Sequence, residues 1–134
     1  MKIKFSIDII TLLTDDLDDT IVNSLFDQSS FMSGKLYHAK WSGFGIWMPL
    51  PNKLNYPTIG DFAHHCKPGD ILMYDGKESE PELFIAYNVA AFSSVCGPLS
   101  AFIIGNLHNH IAEINNIGKS ILETGAKPCT LTKF

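Results

Sequence analysis

His38-Ala-Lys-Trp-Ser-Gly-Phe-Gly-Ile-Trp-Met-Pro-Leu-Pro51 holds both tryptophans of the chain, Trp41 and Trp47, around Ser42-Gly43. Apolar residues alternate on either side of a glycine-bearing turn, and Pro49-Leu50-Pro51 stops the second arm, so the stretch reads as a β-hairpin. The hairpin puts large aromatic side chains where the mouth of a barrel would hold a small ligand.

Working outward, residues 2–8 alternate as a half-buried strand with Ile3, Phe5 and Ile7 inward. Ile9 to Leu13 continues it or pairs back on it. Thr14-Asp-Asp-Leu-Asp-Asp19 opens a helix, because acidic side chains accept the orphan N–H groups of a first turn and suit its positive dipole end. Leu17, Ile21, Val22, Leu25 and Phe26 give that helix one apolar face. A strand from about Gly34 to Trp41 enters the hairpin, and its partner runs through Met48. Residues 49–69 read as a long loop, with room for a short helix around Ile59 to His64. Ile71 to Tyr74 and Glu82 to Val89 are strands. In the second, Leu83, Ile85 and Tyr87 share one face, and Phe84, Ala86 and Asn88 the other. A further apolar stretch, Ala90 to Val95, precedes Cys96-Gly97-Pro98. A helix starts near Asn106 or His108, with a stripe through Leu107, Ile111, Ile114, Gly118, Ile121 and Leu122, and Gly125 as its C-cap. A last strand covers about Lys127 to Thr132. Strand hairpins with two helices predict a single mainly β domain over residues 1–134, a β-barrel capped by two helices.

Composition narrows the function classes. The chain has 134 residues, 46% hydrophobic and 18% charged, with net charge -4. All ten basic residues are lysines and they are scattered, which argues against a nucleic-acid binder or a polybasic membrane patch. The missing arginine removes every mechanism that needs a guanidinium fork. Cys66, Cys96 and Cys129 are odd in number and widely spaced, so a disulfide framework is not expected and a reducing cytoplasm fits. No signal-peptide core and no apolar run of the ~18 residues that a membrane helix needs is present.

Taken together, His38-Ala-Lys-Trp-Ser-Gly43, Ile46-Trp-Met-Pro-Leu-Pro51, Pro68-Gly-Asp-Ile-Leu-Met-Tyr74, Ser79-Glu-Pro-Glu82 and Cys96-Gly-Pro-Leu99 carry a family likeness. In their order and spacing the chain resembles the bacterial and archaeal family called domain of unknown function 3830. The resemblance implies a cyclophilin-like barrel and brings no reaction with it. The chain departs from the family pattern after Pro98-Leu99, where Ser100 to His108 replaces an expected Gly-Asn-His-type turn. Prolyl isomerases of the cyclophilin-like fold resemble one another in using an arginine to polarise the prolyl amide, so that activity is not expected here.

Several constellations can carry chemistry. Tyr37 and Trp41 should share a strand face, with Trp47 on the partner strand and Tyr74 and Tyr87 on later ones. These are candidate ligand-binding residues; the plainer account is that they fill the barrel. Glu80 and Glu82 stand two apart at a strand start and can split into an acid and a base, or bind a cationic or amide ligand; the plainer account is a solvated strand end. His38 is the histidine placed to act as a general base, with Glu82 as its partner in catalysis. His64-His65-Cys66 and His108-x-His110 match no metal-ligand spacing, and there is no P-loop or G-x-G-x-x-G, so neither a metal nor a cofactor is expected. Cys96 is a nucleophile only if a histidine lies close to it.

The reading that follows is a barrel that binds a small polar amide or carboxylate metabolite at its mouth, and that hydrolyses or isomerises it if it is an enzyme. The alternative is a non-catalytic subunit or homo-oligomeric interaction module, with the loop from Asn52 to Lys67 covered by a neighbour.

Overall fold

A computed structural model describes residues 1–27, 29–51, 62–77 and 79–134. In chain order the elements are β1 (Ile3–Ile7), β2 (Ile10–Leu13), α1 (Asp19–Phe26), β3 (Phe31–His38), β4 (Gly43–Pro49), β5 (Phe62–Ala63), β6 (His65–Cys66), β7 (Asp70–Tyr74), β8 (Glu82–Ala91), β9 (Ser93–Ser94), β10 (Gly97–Pro98), β11 (Ala101–Asn106), a 3₁₀ turn (His108–His110), α2 (Ile111–Thr124) and β12 (Lys127–Lys133). Among the described residues the main sheet runs β2-β1-β12-β3-β4-β8-β7-β11-β5, with β6 also paired to β8, and every pairing is antiparallel. The sheet curls into a half-barrel, and the protein is a mainly β, barrel-like fold with two helices. A small β9–β10 hairpin stands apart from the main sheet.

The alternation of β1 does what period two requires: Ile3, Phe5 and Ile7 are fully buried and the residues between them are not. Ile7 pairs with Ile10, so Asp8-Ile9 forms a two-residue turn, and β2 is a hairpin partner rather than a continuation of β1. Asp8 takes the left-handed conformation there (φ 52°), which a short polar side chain tolerates. The acidic run behaves as a cap: the Asp18 carboxylate accepts from the backbone N–H groups of Thr20 (2.9 Å) and Ile21 (3.1 Å). That satisfies two of the donors a helix start leaves open. Val22, Leu25 and Phe26 then turn into the core.

β8 divides the interior. Leu83, Ile85 and Tyr87 join the main core with β1, β3, β4 and both helices. Phe84, Ala86 and Ala90 face a second core with Leu72, Tyr74, Phe92, Leu99 and Ala101. A strand covered on both faces loses its polar alternation, and each large apolar side chain so buried contributes ~1.5–3 kcal/mol. α2 lies close against β8 because Gly118 carries no side chain: a Cβ there would sit 2.1 Å from Tyr87 Cδ1. Gly125 ends the helix, its N–H donating to the Ile121 carbonyl at 2.9 Å.

The structure corrects several boundaries. β3 ends at His38, so Trp41 belongs to the connection into β4 and shares no strand face with Tyr37. The first part of the apolar stretch from Ala90 extends β8 to Ala91. Ala101–Asn106, to which the sequence reading assigns no element, is a strand pairing with β7 and β5. Within the long loop, β5 and β6 form short pairings. The short helix expected around Ile59 to His64 is not formed over residues 62–64, which are strand β5 and the bend after it; residues 52–61, with the rest of that expected helix, lie outside the described residues.

Candidate active site and its relatives

The β3–β4 hairpin builds one wall of a cavity of about 650 Å³, lined by Tyr37, His38, Ala39, Lys40, Trp41 and Trp47. Tyr37 and Trp47 are direct cross-strand partners, and their rings lie 5.4 Å apart at a tilt of 34°, a geometry in which aromatic pairs attract. Trp47 is partly buried and packs against the second core, whereas Trp41 is 56% exposed at the cavity mouth. Glu82, on the strand paired directly with β4, and Ser79 also line the cavity, as do Ser93 to Val95 and Ile121, Gly125 and Ala126 at the end of α2.

Ser42 fixes the turn. Its hydroxyl accepts from the Ser93 N–H at 2.9 Å and donates to the Ser93 carbonyl at 3.3 Å, while its own carbonyl accepts from the Ala91 N–H at 3.0 Å. Gly43 follows with φ 89°, a conformation that favours glycine. The Trp41 connection is therefore tied to Ser93, which lines the same cavity.

Glu82 is the first residue of β8, facing Pro49 on β4 and Tyr74 on β7. Burial in this largely apolar setting, with Glu80 adding a second negative charge, pushes its carboxyl up to about 7. No hydrogen-bond donor or cation among the described residues pairs with it. Its proton is thus exchangeable near neutrality, where a general acid or base is most effective.

His38 is held on both sides. Its Nδ1–H donates to the Ala39 carbonyl at 2.9 Å, a contact that fixes the tautomer, and Nε2 accepts from the Tyr87 hydroxyl at 2.8 Å. In this arrangement both ring nitrogens are engaged, Nδ1 with a backbone carbonyl and Nε2 with the Tyr87 hydroxyl.

Five predicted site residues, Tyr37, His38, Trp41, Trp47 and Glu82, line the same cavity. Glu80 stands beside it, exposed, and acts on Glu82 through its charge. Tyr74 and Tyr87 are 4% and 2% exposed and belong to the two cores; Tyr87 reaches the site only through His38. Cys96 is exposed on the β9–β10 turn, with no histidine bonded to its thiol among the described residues. Cys66 and Cys129 are buried, which pushes their thiols up to about 11 and 12, so they stay protonated. Among the described residues no three His, Cys, Asp or Glu side chains converge as metal ligands would, and no helix is long and apolar enough to cross a membrane. Sequence reading missed Lys40 and Ser79, which adjoin Trp41 and Glu80 in sequence, and Ser93 to Val95, which the Ser42–Ser93 hydrogen bonds bring in from a distant segment.

A curled antiparallel sheet with two helices defines a barrel-like domain. The chain belongs to the family described as protein of unknown function (DUF3830), whose model matches residues 7–133. No protein of curated function matches it in sequence. Among solved structures it is similar to one described as McbB in complex with tryptophan, with a TM-score of 0.73 and 12% sequence identity over 98% of this chain and 44% of that one. That likeness shows a shared fold, and this chain spans less than half the length of that protein.

Proposed function

We propose that the protein binds a small polar amide or carboxylate metabolite in the cavity between the Trp41–Trp47 hairpin and Glu82. The observation that carries this reading is the convergence on one cavity of two tryptophans, a tyrosine and a glutamate that has no partner among the described residues. Small-molecule sites are concave, mostly apolar and furnished with a few polar groups that orient the ligand. Ser79, Ser94 and Lys40 are further polar groups on the same walls.

If the site turns over an amide, Glu82 is the group that moves the proton, donating to the leaving nitrogen or withdrawing a proton from water, and His38 orients the ligand through the ring that Tyr87 holds. The reading is tested by a thermal-shift screen of small carboxylates, amides, ureides and cyclic imides. The ligand of the similar McbB structure, tryptophan, belongs in that screen. A ligand at a hundred times its dissociation constant adds ~2.7 kcal/mol, and the gain should vanish in Glu82→Gln. A ligand whose effect survives that substitution binds elsewhere.

A second reading is favoured by the exposed apolar side chains near the hairpin, Trp41, Phe44, Val89 and Val95. Such a surface fits a non-catalytic subunit or a homo-oligomer. Gel filtration at micromolar concentration separates the two: a monomer speaks against self-assembly.

A further inference from the structure

We propose that the cavity takes the protonated amine of a small organic molecule, seated against the faces of Tyr37, Trp41 and Trp47 and against the Glu82 carboxylate. The proposal rests on reading the cavity as a small-molecule site and adds to the amide or carboxylate ligand a second, cationic end, the one that Glu82 and the aromatic rings select.

The walls decide the sign of the charge. Three aromatic rings line the cavity, and the face of an aromatic ring attracts cations, tryptophan most strongly. Glu82 lies among them with no cationic partner among the described residues, and a partly buried carboxylate without a partner is costly. Glu80 adds to the negative potential at the same rim. An anionic head group would meet those charges with Lys40 as the one cation among the described lining residues, and the chain holds no arginine to grip it as a fork. The net charge of -4 favours the approach of a cation over that of an anion. A second, polar end on the ligand is compatible with this arrangement, since Lys40, Ser79 and Ser94 lie on the same walls.

The groups that titrate around Glu82 are Glu80 beside it, Tyr74 opposite it on β7, and Tyr37, His38 and Lys40 on the hairpin wall. A carboxyl that loses its proton near pH 7 makes cation binding rise with pH, because only the ionised form holds the amine. Binding of an amide or a carboxylate by protonated Glu82 would fall over the same range.

The test is isothermal titration calorimetry with phenethylamine, phenylacetamide and phenylacetate, which share a ring and differ in head group, at pH 6 and pH 8. The expected result is that phenethylamine binds best and about tenfold more tightly at pH 8 than at pH 6. Glu82→Gln should weaken it at least ~tenfold and remove the pH dependence. The pH series on the unaltered protein decides the sign even if the variant folds poorly. Should phenylacetamide or phenylacetate bind better than the amine, or amine binding weaken towards pH 8, the cation proposal is overturned and the small-molecule site stands. Should none of the three bind folded protein, both readings fall.

Discussion

The Tyr87 hydroxyl lies 2.8 Å from His38 Nε2 and joins the main core to the cavity wall. Tyr87 is 2% exposed and its ring packs against the backbone of α2 at Gly118, so a residue of the core sets the state of a residue of the site. Tyr87→Phe keeps the ring and removes the hydrogen bond. Its expected cost is about 1 kcal/mol by urea denaturation, with His38 Nε2 left without its partner. Nitrogen-15 NMR of the imidazole should show Nδ1–H as the neutral tautomer in the unaltered protein, and a changed Nε2 signal in the variant.

Gly118→Ala tests the same contact from the helix side. Alanine favours a helix interior by ~1 kcal/mol over glycine, but its Cβ would come within 2.1–2.5 Å of three Tyr87 ring atoms. The ring is buried and cannot swing aside, so overpacking, typically about 1–3 kcal/mol, should win. Net destabilisation in urea is the expected outcome, against the stabilisation that helix propensity alone would give.

Glu82 gives a pH dependence with a definite sign. Its carboxyl is raised from 4.5 to about 7 in the folded protein, so between those values the folded state holds a proton that the unfolded state has lost. Stability should therefore decline as pH rises from about 4.5 to 7 and level off above. Glu82→Gln should melt with the unaltered protein near pH 4.5 and above it at pH 8, by on the order of 1 kcal/mol once solvent screening is allowed for. Differential scanning calorimetry across this range reads both the slope and its loss. A titratable group held at the expense of stability is the pattern expected of a functional site.

Asp18→Ala removes the cap of α1, which holds two backbone N–H groups. The expected loss is about 1 kcal/mol, or roughly 3–5 °C in Tm for a domain of this size, with ligand affinity unchanged because α1 contributes nothing to the cavity lining.

How far the molecule was legible in sequence differs from element to element. The β3–β4 hairpin, the capped first helix and the two faces of β8 were readable, since each rests on local periodicity or on one capping residue. β11 was not: Ala101-Phe-Ile-Ile104 is a short apolar run without alternation, which periodicity cannot assign. Glu82 and Trp41 could be picked out as candidates, yet nothing local places them on one cavity with Ile121 and Gly125. Tyr74 and Tyr87 look like Tyr37 in sequence; the curl of the sheet sends them into the cores. The occupied Nε2 of His38 was invisible for the same reason, since its partner lies on another strand.

The most direct test of the small-molecule site is a ¹H–¹⁵N NMR titration that follows the indole N–H signals. The chain has two tryptophans, and both line the cavity. A compound that stabilises the protein in the thermal screen should move both indole signals together, at concentrations matching its dissociation constant, and should leave both unmoved in Glu82→Gln. A stabilising compound that shifts other resonances while Trp41 and Trp47 stay still would place the ligand elsewhere and contradict the assignment of this cavity.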